Sequence, residues 1–185
     1  MSPTIVIPIN WPNNGNAELG QEPAYPMMRP VATHNRQISD FATWNGLLIL
    51  SGIQEDASHS QHILKGNPGD PSLWIGSVDD LWKFGKPVGE GGVWKDTPVK
   101  AGLRSDKFLM TGYDKKTIEL TADQDVDITL YVDIAHYLEG SAPYKTFSLK
   151  AGETIQHTFP EGFSAHWVSA EASKDCKATV WFKYE

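Results

Sequence analysis

The sequence is poor in cysteine, in long apolar runs and in basic clusters, and each shortage removes a class of protein. Its one cysteine, Cys176, has no partner for an intrachain disulfide, so no covalent framework holds the fold. No segment approaches the roughly 20 apolar residues of a membrane span. The apolar stretch TIVIPI near the start lacks the basic flank of a signal peptide. We predict no membrane partner and leave the compartment open: secreted or periplasmic if a signal has been removed.

The charge balance excludes nucleic acid as a partner. The formal net charge is −7 at pH 7, and the lysines are scattered, whereas phosphate backbones need a basic footprint. The chain also holds no phosphate loop, dinucleotide fingerprint or Gly-x-Ser-x-Gly elbow, so no cofactor is predicted. His59 and His62 are the histidines closest in sequence, but no third ligand stands near them, and no metal site is predicted.

The chain is rich in turn formers placed between short apolar runs. It has 12 prolines and 16 glycines, and no stretch carries helical periodicity over more than a turn or two. Asn45-Gly46 stands between two β-prone runs, which is the strongest short-range signal for a hairpin. In VDITLYVDI, apolar and polar residues alternate as in a half-buried strand. The predicted fold class is all-β.

Three regions are predicted along the chain. Residues 1–33 mix proline, asparagine and glycine and form an irregular N-terminal arm. Residues 34–105 form a four-stranded antiparallel sheet with long loops, whose later strands lie in LWIGSVDDLWKFGKP and are followed by a glycine-rich connection. Residues 106–185 hold six or seven strands with a turn signal about every ten residues, including a hairpin about Ala151-Gly152, as in an antiparallel β-sandwich.

Two strand–turn–strand stretches, DFATWNGLLILSG and LWIGSVDDLWKFGKP, resemble blades of β-propellers. With FLMTGYDKK and a terminal stretch ending in ATVWFKYE, they resemble the C-terminal part of large bacterial proteins that join a propeller to a β-sandwich. The resemblance covers most of residues 29–185 and implies a link with carbohydrate but no catalytic residue. One propeller-blade-like sheet cannot close a ring. We therefore expect self-association, pairing with another chain, or packing of the sheet directly on the sandwich.

Two pairs of charged or titratable residues are candidates for a site. The adjacent carboxylates Asp79 and Asp80 suit Ca²⁺ or sugar hydroxyls, or alternatively shape a tight turn by bonding to their own backbone. Because adjacent strand residues point to opposite faces, one ion would rarely bind both, and the turn is favoured. His34 and Arg36 suit proton transfer or anion binding in a cleft, or equally a charged strand entrance, which we favour.

Tryptophan is the residue most suggestive of a ligand, because aromatic faces stack on the C–H faces of sugars. Trp94, in the glycine-rich connection, is the best candidate for an exposed ring, and Trp11 follows. The other five lie inside predicted strands, where core packing is expected: Trp44, Trp74, Trp82, Trp167 and Trp181.

The predicted function is a noncatalytic accessory or binding module whose ligand is a glycan. The candidate ligand-binding residues are Trp94, Trp11, Asp79, Asp80, His34 and Arg36. Two alternatives stay open: a fragment or subunit of a carbohydrate-active enzyme whose site another chain completes, and a purely structural or assembly module. Two facing carboxylates with raised pKa would favour the enzyme, and a shallow aromatic platform would favour binding.

Overall fold

The computed structural model describes residues 4–8, 28–34, 36–57, 60–134 and 140–185, and most of these lie in β-strands. The first strands are β1 (Thr4–Pro8), β2 (Met28–Thr33), β3 (Asp40–Trp44), β4 (Leu47–Ile53), β5 (Ile63–Leu64) and β6 (Ser72–Gly76), followed by a 3₁₀ helix at Val78–Lys83. The later strands are β7 (Gly89–Val99), β8 (Phe108–Leu109), β9 (Lys116–Ala122), β10 (Val126–Asp133), β11 (Ala142–Leu149), β12 (Thr154–Thr158), β13 (Trp167–Ala172) and β14 (Cys176–Tyr184). The predicted all-β class is confirmed.

The chain divides into two compact units, one containing Val31–Lys86 and the other containing Pro87–Glu185. A separate two-stranded sheet joins β1 to β2. Strand β7 lies within the range 34–105 that the sequence assigned to the first sheet, yet it belongs to the second unit.

The first unit contains a four-stranded antiparallel sheet in the order β3-β4-β6-β5. The hairpin between β3 and β4 turns at Asn45 and Gly46, whose φ angles of 48° and 79° are those of a type I′ turn. The strand at the far edge from β3 is the short β5. The stretch 81–84, predicted to be a strand, lies mostly in the 3₁₀ helix. Leu81 is fully buried in that helix. The Asp80 carboxylate accepts hydrogen bonds from the backbone N–H and the hydroxyl of Ser77, which closes the turn at the start of the helix.

The second unit is a β-sandwich of two antiparallel sheets, in the orders β11-β10-β13-β8 and β12-β9-β14-β7. Alternate residues of these strands meet between the sheets, and the following are fully buried: Ile118, Leu120, Ile128, Leu130, Val180 and Phe182. The hairpin predicted about Ala151-Gly152 is wrong, because β11 and β12 lie in different sheets. Gly152 N–H donates to the Ala122 carbonyl at 2.8 Å, which ties this turn to β9 instead.

The glycine-rich connection around Trp94 is the long strand β7. Its glycines permit close approach within the sandwich, since a Cβ at Gly91 would lie 2.7 Å from the Phe108 ring and one at Gly92 would meet the Val180 carbonyl. Glycine inside a strand often marks such an approach. The glycines that suggested a loop therefore serve strand packing.

The sandwich is an internal repeat in which β7–β10 corresponds to β11–β14. Lys100-Ala101-Gly102 recurs fifty residues later as Lys150-Ala151-Gly152. Asp175 accepts hydrogen bonds from Lys100 Nζ at 2.6 Å and from Ala101 N–H at 2.9 Å. Asp125 accepts from Lys150 Nζ at 2.8 Å and from Ala151 N–H at 3.0 Å. Each half thus supplies an aspartate that holds the Lys-Ala turn of the other half by hydrogen bonds, and we call this interaction a clamp. Each sheet contains two strands from each half.

Candidate functional site

One outer face of the sandwich gathers polar and aromatic side chains that the core does not use. In β10, the apolar residues alternate into the core, so the residues between them face outward. The strand register pairs Tyr131 with Ser169 and Asp133 with Trp167 across β10 and β13. We call the following residues the outer-face cluster: Arg104, Lys107, Tyr131, Asp133, Trp167, Ser169 and Glu171.

Arg104 is held at one side of the cluster by a ring and a carboxylate. Its guanidinium carbon lies 3.6 Å from the centre of the Tyr131 ring, and its Nε lies 3.8 Å from Oε2 of Glu171. The negative face of an aromatic ring attracts a cation, so the two contacts fix the guanidinium over Tyr131. A guanidinium has five N–H donors, and this one is partly exposed beside the rest of the cluster.

Two buried polar side chains in the cluster have atoms without hydrogen-bond partners. Asp133 is 2% exposed, and its Oδ2 lies 3.2 Å from Nζ of Lys107, while its Oδ1 has no partner among the described residues. Ser169 is also 2% exposed, and its Oγ has none either. Leaving such a group unpaired costs about 1–3 kcal/mol, and an unpaired group in a native fold calls for an explanation such as a bound molecule.

The cluster combines complementary kinds of contact. A carboxylate accepts hydrogen bonds, a hydroxyl donates and accepts, and a guanidinium donates. Trp167 and Tyr131 are both half-buried on the same side of the sheet, and Arg104 lies over the ring of Tyr131. Chemically, the arrangement suits a molecule that presents both hydroxyl groups and an apolar face.

The opposite outer face carries an aromatic residue at the position equivalent to Tyr131. It is Trp181, half-buried, with Nζ of Lys95 4.3 Å from its ring centre. Glu119 lies opposite Trp181 in the register and is exposed, and Gln156 Nε2 donates to it at 3.4 Å. Among the described residues, none on this face has a buried polar atom without a partner. The two faces therefore share an aromatic centre but differ in their buried polar groups.

The structure places the leading predicted site residue in the core. Trp94 lies on β7, opposite Val180, and is only 7% exposed. The expectation of an exposed ring at this position is wrong, because the glycines that suggested a loop bring β7 close to its neighbours. Trp11 lies outside the described residues.

Asp79 and Asp80 lie in the first turn of the 3₁₀ helix. Oδ2 of Asp80 accepts hydrogen bonds from the backbone N–H and the hydroxyl of Ser77, both at 2.8 Å, and Oδ1 accepts from Nζ of Lys83 at 2.7 Å. The Lys83 bond, followed by the Ser77 bonds, holds the pKa of Asp80 well below its ordinary value. The Asp80 carboxylate therefore shapes the turn, and Asp79 is exposed beside it.

The structure brings His34 and Arg36 together on the ring of Phe84. Arg36 N–H donates to Nδ1 of His34 at 3.1 Å, and the two side chains lie 5.9 Å and 6.0 Å from the Phe84 ring centre. His34 is buried, and burial lowers its pKa because the charged imidazolium is disfavoured there. One ring nitrogen of His34 is thus already engaged by the backbone.

The strand tryptophans divide into core and surface residues. Trp74 is 1% exposed and belongs to the core, as predicted. Trp44 and Trp82 are 65% and 57% exposed, so the core prediction is wrong for both: one lies on an edge strand and the other on the 3₁₀ helix. Trp167 and Trp181 are half-buried and point out from the two sheets.

Sequence reasoning missed the outer-face cluster, although the alternation in VDITLYVDI already sets Tyr131 and Asp133 on the same side of the strand. Lys107 and Trp167, which flank Asp133 in space, are distant from it in sequence. The repeated Lys-Ala-Gly turn was the sequence signal that could have revealed the cluster. Aligning the two copies matches each residue of β10 with one of β14 and shows at which outward positions the two halves differ.

Comparison of the chain with protein-family models, curated proteins and solved structures finds no match. Within the described ranges, no three or more His, Cys, Asp or Glu side chains are grouped to hold a metal ion. In the same ranges, no helix has the length and apolar character needed to cross a membrane. The candidate site therefore rests on geometry.

Proposed function

We propose that this chain is a noncatalytic binding module that holds a carbohydrate on the outer-face cluster. One observation carries the proposal: the half-buried rings of Tyr131 and Trp167 share a sheet face with Asp133 and Ser169, each of which has one buried polar atom with no partner among the described residues. Aromatic rings beside hydrogen-bonding groups are typical of sites that fix the orientation of a small ligand.

The chemistry of the cluster selects a hydroxyl-rich ligand over the alternatives. A purely apolar ligand would leave Oδ1 of Asp133 and Oγ of Ser169, which have no partner among the described residues, still unpaired. An anionic group placed against Oδ1 would be repelled by the Asp133 carboxylate. A sugar offers hydroxyls to the polar groups and a C–H face to Trp167. A neutral oligosaccharide is therefore the ligand that satisfies the most contacts.

The cation paired with Asp133 is on an exposed side chain. Lys107 is 53% exposed, whereas its partner Asp133 is 3% exposed at the side chain. Because the Asp133 carboxylate is buried, removing its cation would leave an uncompensated charge, so we expect Lys107 to stay on Oδ2 while a ligand hydroxyl reaches Oδ1. Because Asp133 is already removed from solvent before the ligand arrives, a ligand hydroxyl that reaches it adds little further desolvation.

The test is an array of neutral glycans probed with the full chain, followed by calorimetry on the glycans that bind. Trp167→Ala and Asp133→Asn should each weaken binding at least about tenfold, as expected when a principal contact is lost. Trp181→Ala is the matched control, since that ring is half-buried on the other outer face, and it should leave binding unchanged. Thermal unfolding of each variant separates lost binding from lost folding.

Two outcomes would overturn the proposal. One is the absence of any bound glycan across the array with folded protein. The other is a glycan whose affinity falls with Trp181→Ala and stays constant with Trp167→Ala, which would move the site to the opposite face.

A further inference from the structure

The outer face that carries the cluster is longer along its strands than a single sugar ring. Strand register arranges the outward side chains of β10 and β13 in three rows: Asp133 with Trp167, Tyr131 with Ser169, and Thr129 with Glu171. Successive rows are two residues apart, and each residue adds about 3.3 Å along a strand, so the three rows span about 13 Å. A pyranose ring is no wider than an aromatic side chain. One ring therefore cannot reach all three rows.

Hydrogen-bonding side chains continue along these two strands but not across the sheet at the first two rows. On β8, Leu109 lies beside Trp167, and on β11, Pro143 lies beside Tyr131. Neither Leu109 nor Pro143 has a side-chain donor or acceptor. A ligand that extends across the sheet would therefore lose polar contacts. A ligand that extends along β10 and β13 meets carboxylate, hydroxyl and guanidinium groups in turn.

Arg104 supplies hydrogen-bond donors away from the Trp167 ring. Its guanidinium carbon lies 3.6 Å from the centre of the Tyr131 ring, so a sugar at that row meets the guanidinium and not the covered ring face. The distance of 3.8 Å from its Nε to Oε2 of Glu171 is longer than a hydrogen bond, so this ion pair does not use the N–H donors. Because the Glu171 carboxylate balances the charge of Arg104, the pair suits the oxygens of a neutral sugar.

We propose that the site binds a chain of sugar units that runs along β10 and β13, with one unit on Trp167 and Asp133 and a later unit against Arg104. The inference rests on the proposed function and adds the length and direction of the ligand. The first unit stacks on Trp167 and brings a hydroxyl to Oδ1 of Asp133. Arg104 donates hydrogen bonds to oxygens of the later unit. A single sugar fills only one of the two places, so affinity should rise with chain length until both are filled.

The first measurement is calorimetry of the full chain with neutral sugars of increasing length. The probes are 1,4-linked glucose, mannose and galactose in chains of one to five units, and the same series of any other glycan that binds on the array. Single sugars are measured by their displacement of a longer chain, so that weak binding is still quantified. For the sugar that binds, affinity should be at least about tenfold higher for the longest chain than for the single unit.

The failure of this inference differs from the failure of the proposed function. Equal affinity for one unit and for the longest chain overturns the extended site, although the protein would still be a carbohydrate-binding module. No binding at any length overturns both proposals.

Variants decide whether Arg104 holds the later unit. Arg104→Ala should lower the affinity for the longest chain at least about tenfold and that for the single sugar much less, whereas Trp167→Ala should weaken both. Lys95→Ala is the matched control, because it removes the cation over Trp181 on the opposite outer face, and it should change neither affinity. Arg104 and Lys95 are both exposed, so these variants should fold, which thermal unfolding checks. If Arg104→Ala weakens the single sugar as much as the longest chain, both residues hold the same unit and the extended site is wrong.

Discussion

Positions 131 and 181 lie fifty residues apart at equivalent places in the two halves of the sandwich, one on each outer face. Each holds an aromatic ring with a cation above it, Arg104 over Tyr131 and Lys95 over Trp181. The turns that support them are also matched, since Asp125 accepts hydrogen bonds on one side as Asp175 does on the other. Both halves of the repeat therefore have the same aspartate–turn hydrogen bonds and a cation over the equivalent ring.

The two faces differ in the polar groups around the ring. Asp133 and Ser169 are buried, each with an atom that has no partner in the described part of the chain, whereas the residues at the equivalent positions, Lys183 and Glu119, are exposed. Lys183 has an ion partner in Glu185, at 3.0 Å. Outward positions do not fill the core, so they can diverge while the sandwich persists. Under the proposed function, the face with Asp133 and Ser169 is the binding face, and the opposite face, which we call the scaffold face, has no such groups among the described residues.

The largest expected effect tests whether the two halves contribute equally to the core. Phe182 is fully buried against the rings of Phe108 and Tyr184, at 5.8 Å and 5.7 Å, whereas the equivalent Val132 places a smaller side chain in the same core. Phe182→Ala should destabilise the fold by about 3–5 kcal/mol and Val132→Ala by about 2 kcal/mol. Denaturant unfolding measures both, and equal losses would show that the halves are energetically interchangeable.

The residue that ends β14 and its equivalent in the other half should contribute differently to the stability of the fold in alkaline solution. Tyr184 is 3% exposed and donates to the Leu109 carbonyl at 3.0 Å, and burial raises its pKa far above the ordinary 10.0. The unfolded chain therefore loses this proton first, so stability is complete below pH 10 and falls as pH rises, by up to about 1.4 kcal/mol per pH unit. Tyr184→Phe should reduce the slope with which the free energy of unfolding falls above pH 10. If the slope is unchanged, another group causes the loss of stability.

The matched control for that slope is Tyr113→Phe. Tyr113 stacks on Tyr184 with ring centres 4.3 Å apart, and burial also raises its pKa. Because Tyr113 is only half-buried, this variant should remove the smaller share of the alkaline loss. At the position equivalent to Tyr184, the other half has Ile134, which is 78% exposed and cannot ionise.

Removing the unpartnered hydroxyl should separate binding from folding. Ser169→Ala deletes a buried group that has no partner among the described residues, so the free protein should gain about 1 kcal/mol of stability. The equivalent change on the scaffold face, Glu119→Ala, removes an exposed side chain and should stay within about 0.5 kcal/mol of the wild type. A loss of stability in Ser169→Ala would mean that this hydroxyl serves the fold and would weaken the proposed site.

Local patterns predicted the regular parts of this molecule well. Asn45-Gly46 gave the hairpin, because its turn requires positive φ at both residues. Alternation in β10 gave the correct inward and outward faces, because the pleat has a period of two. Such features depend on neighbours in sequence, which a single chain displays directly.

Features that depend on distant neighbours were not predictable in this way. The glycines at Gly91 and Gly92 signalled a loop, and only the closeness of Phe108 and Val180 explains them as strand residues. The burial of Asp133 likewise arises from strands β10 and β13 lying side by side with Lys107 above them. The candidate site is a product of the sheet register, so the pattern within one strand could not show it.

The smallest expected difference concerns the clamps that hold the two halves. Hydrogen bonds from Lys150 and Ala151 lower the pKa of Asp125, and those from Ala101 and Lys100 lower that of Asp175. A carboxyl with a lowered pKa contributes stability above its unfolded pKa and loses it as the pH falls through the folded value. Alanine at either position should therefore reduce the acid sensitivity of unfolding, and by the same amount in both halves.

Asparagine at the same positions shows which bond matters. It cannot form the ion pair with lysine, but its amide oxygen can still accept the backbone N–H of Ala151 or Ala101. Because exposed ion pairs contribute little, Asp125→Asn and Asp175→Asn should keep most of the stability that the alanine variants lose. If one asparagine variant falls to the alanine level while the other does not, the clamps are unequal and the two halves are not held by the same interaction.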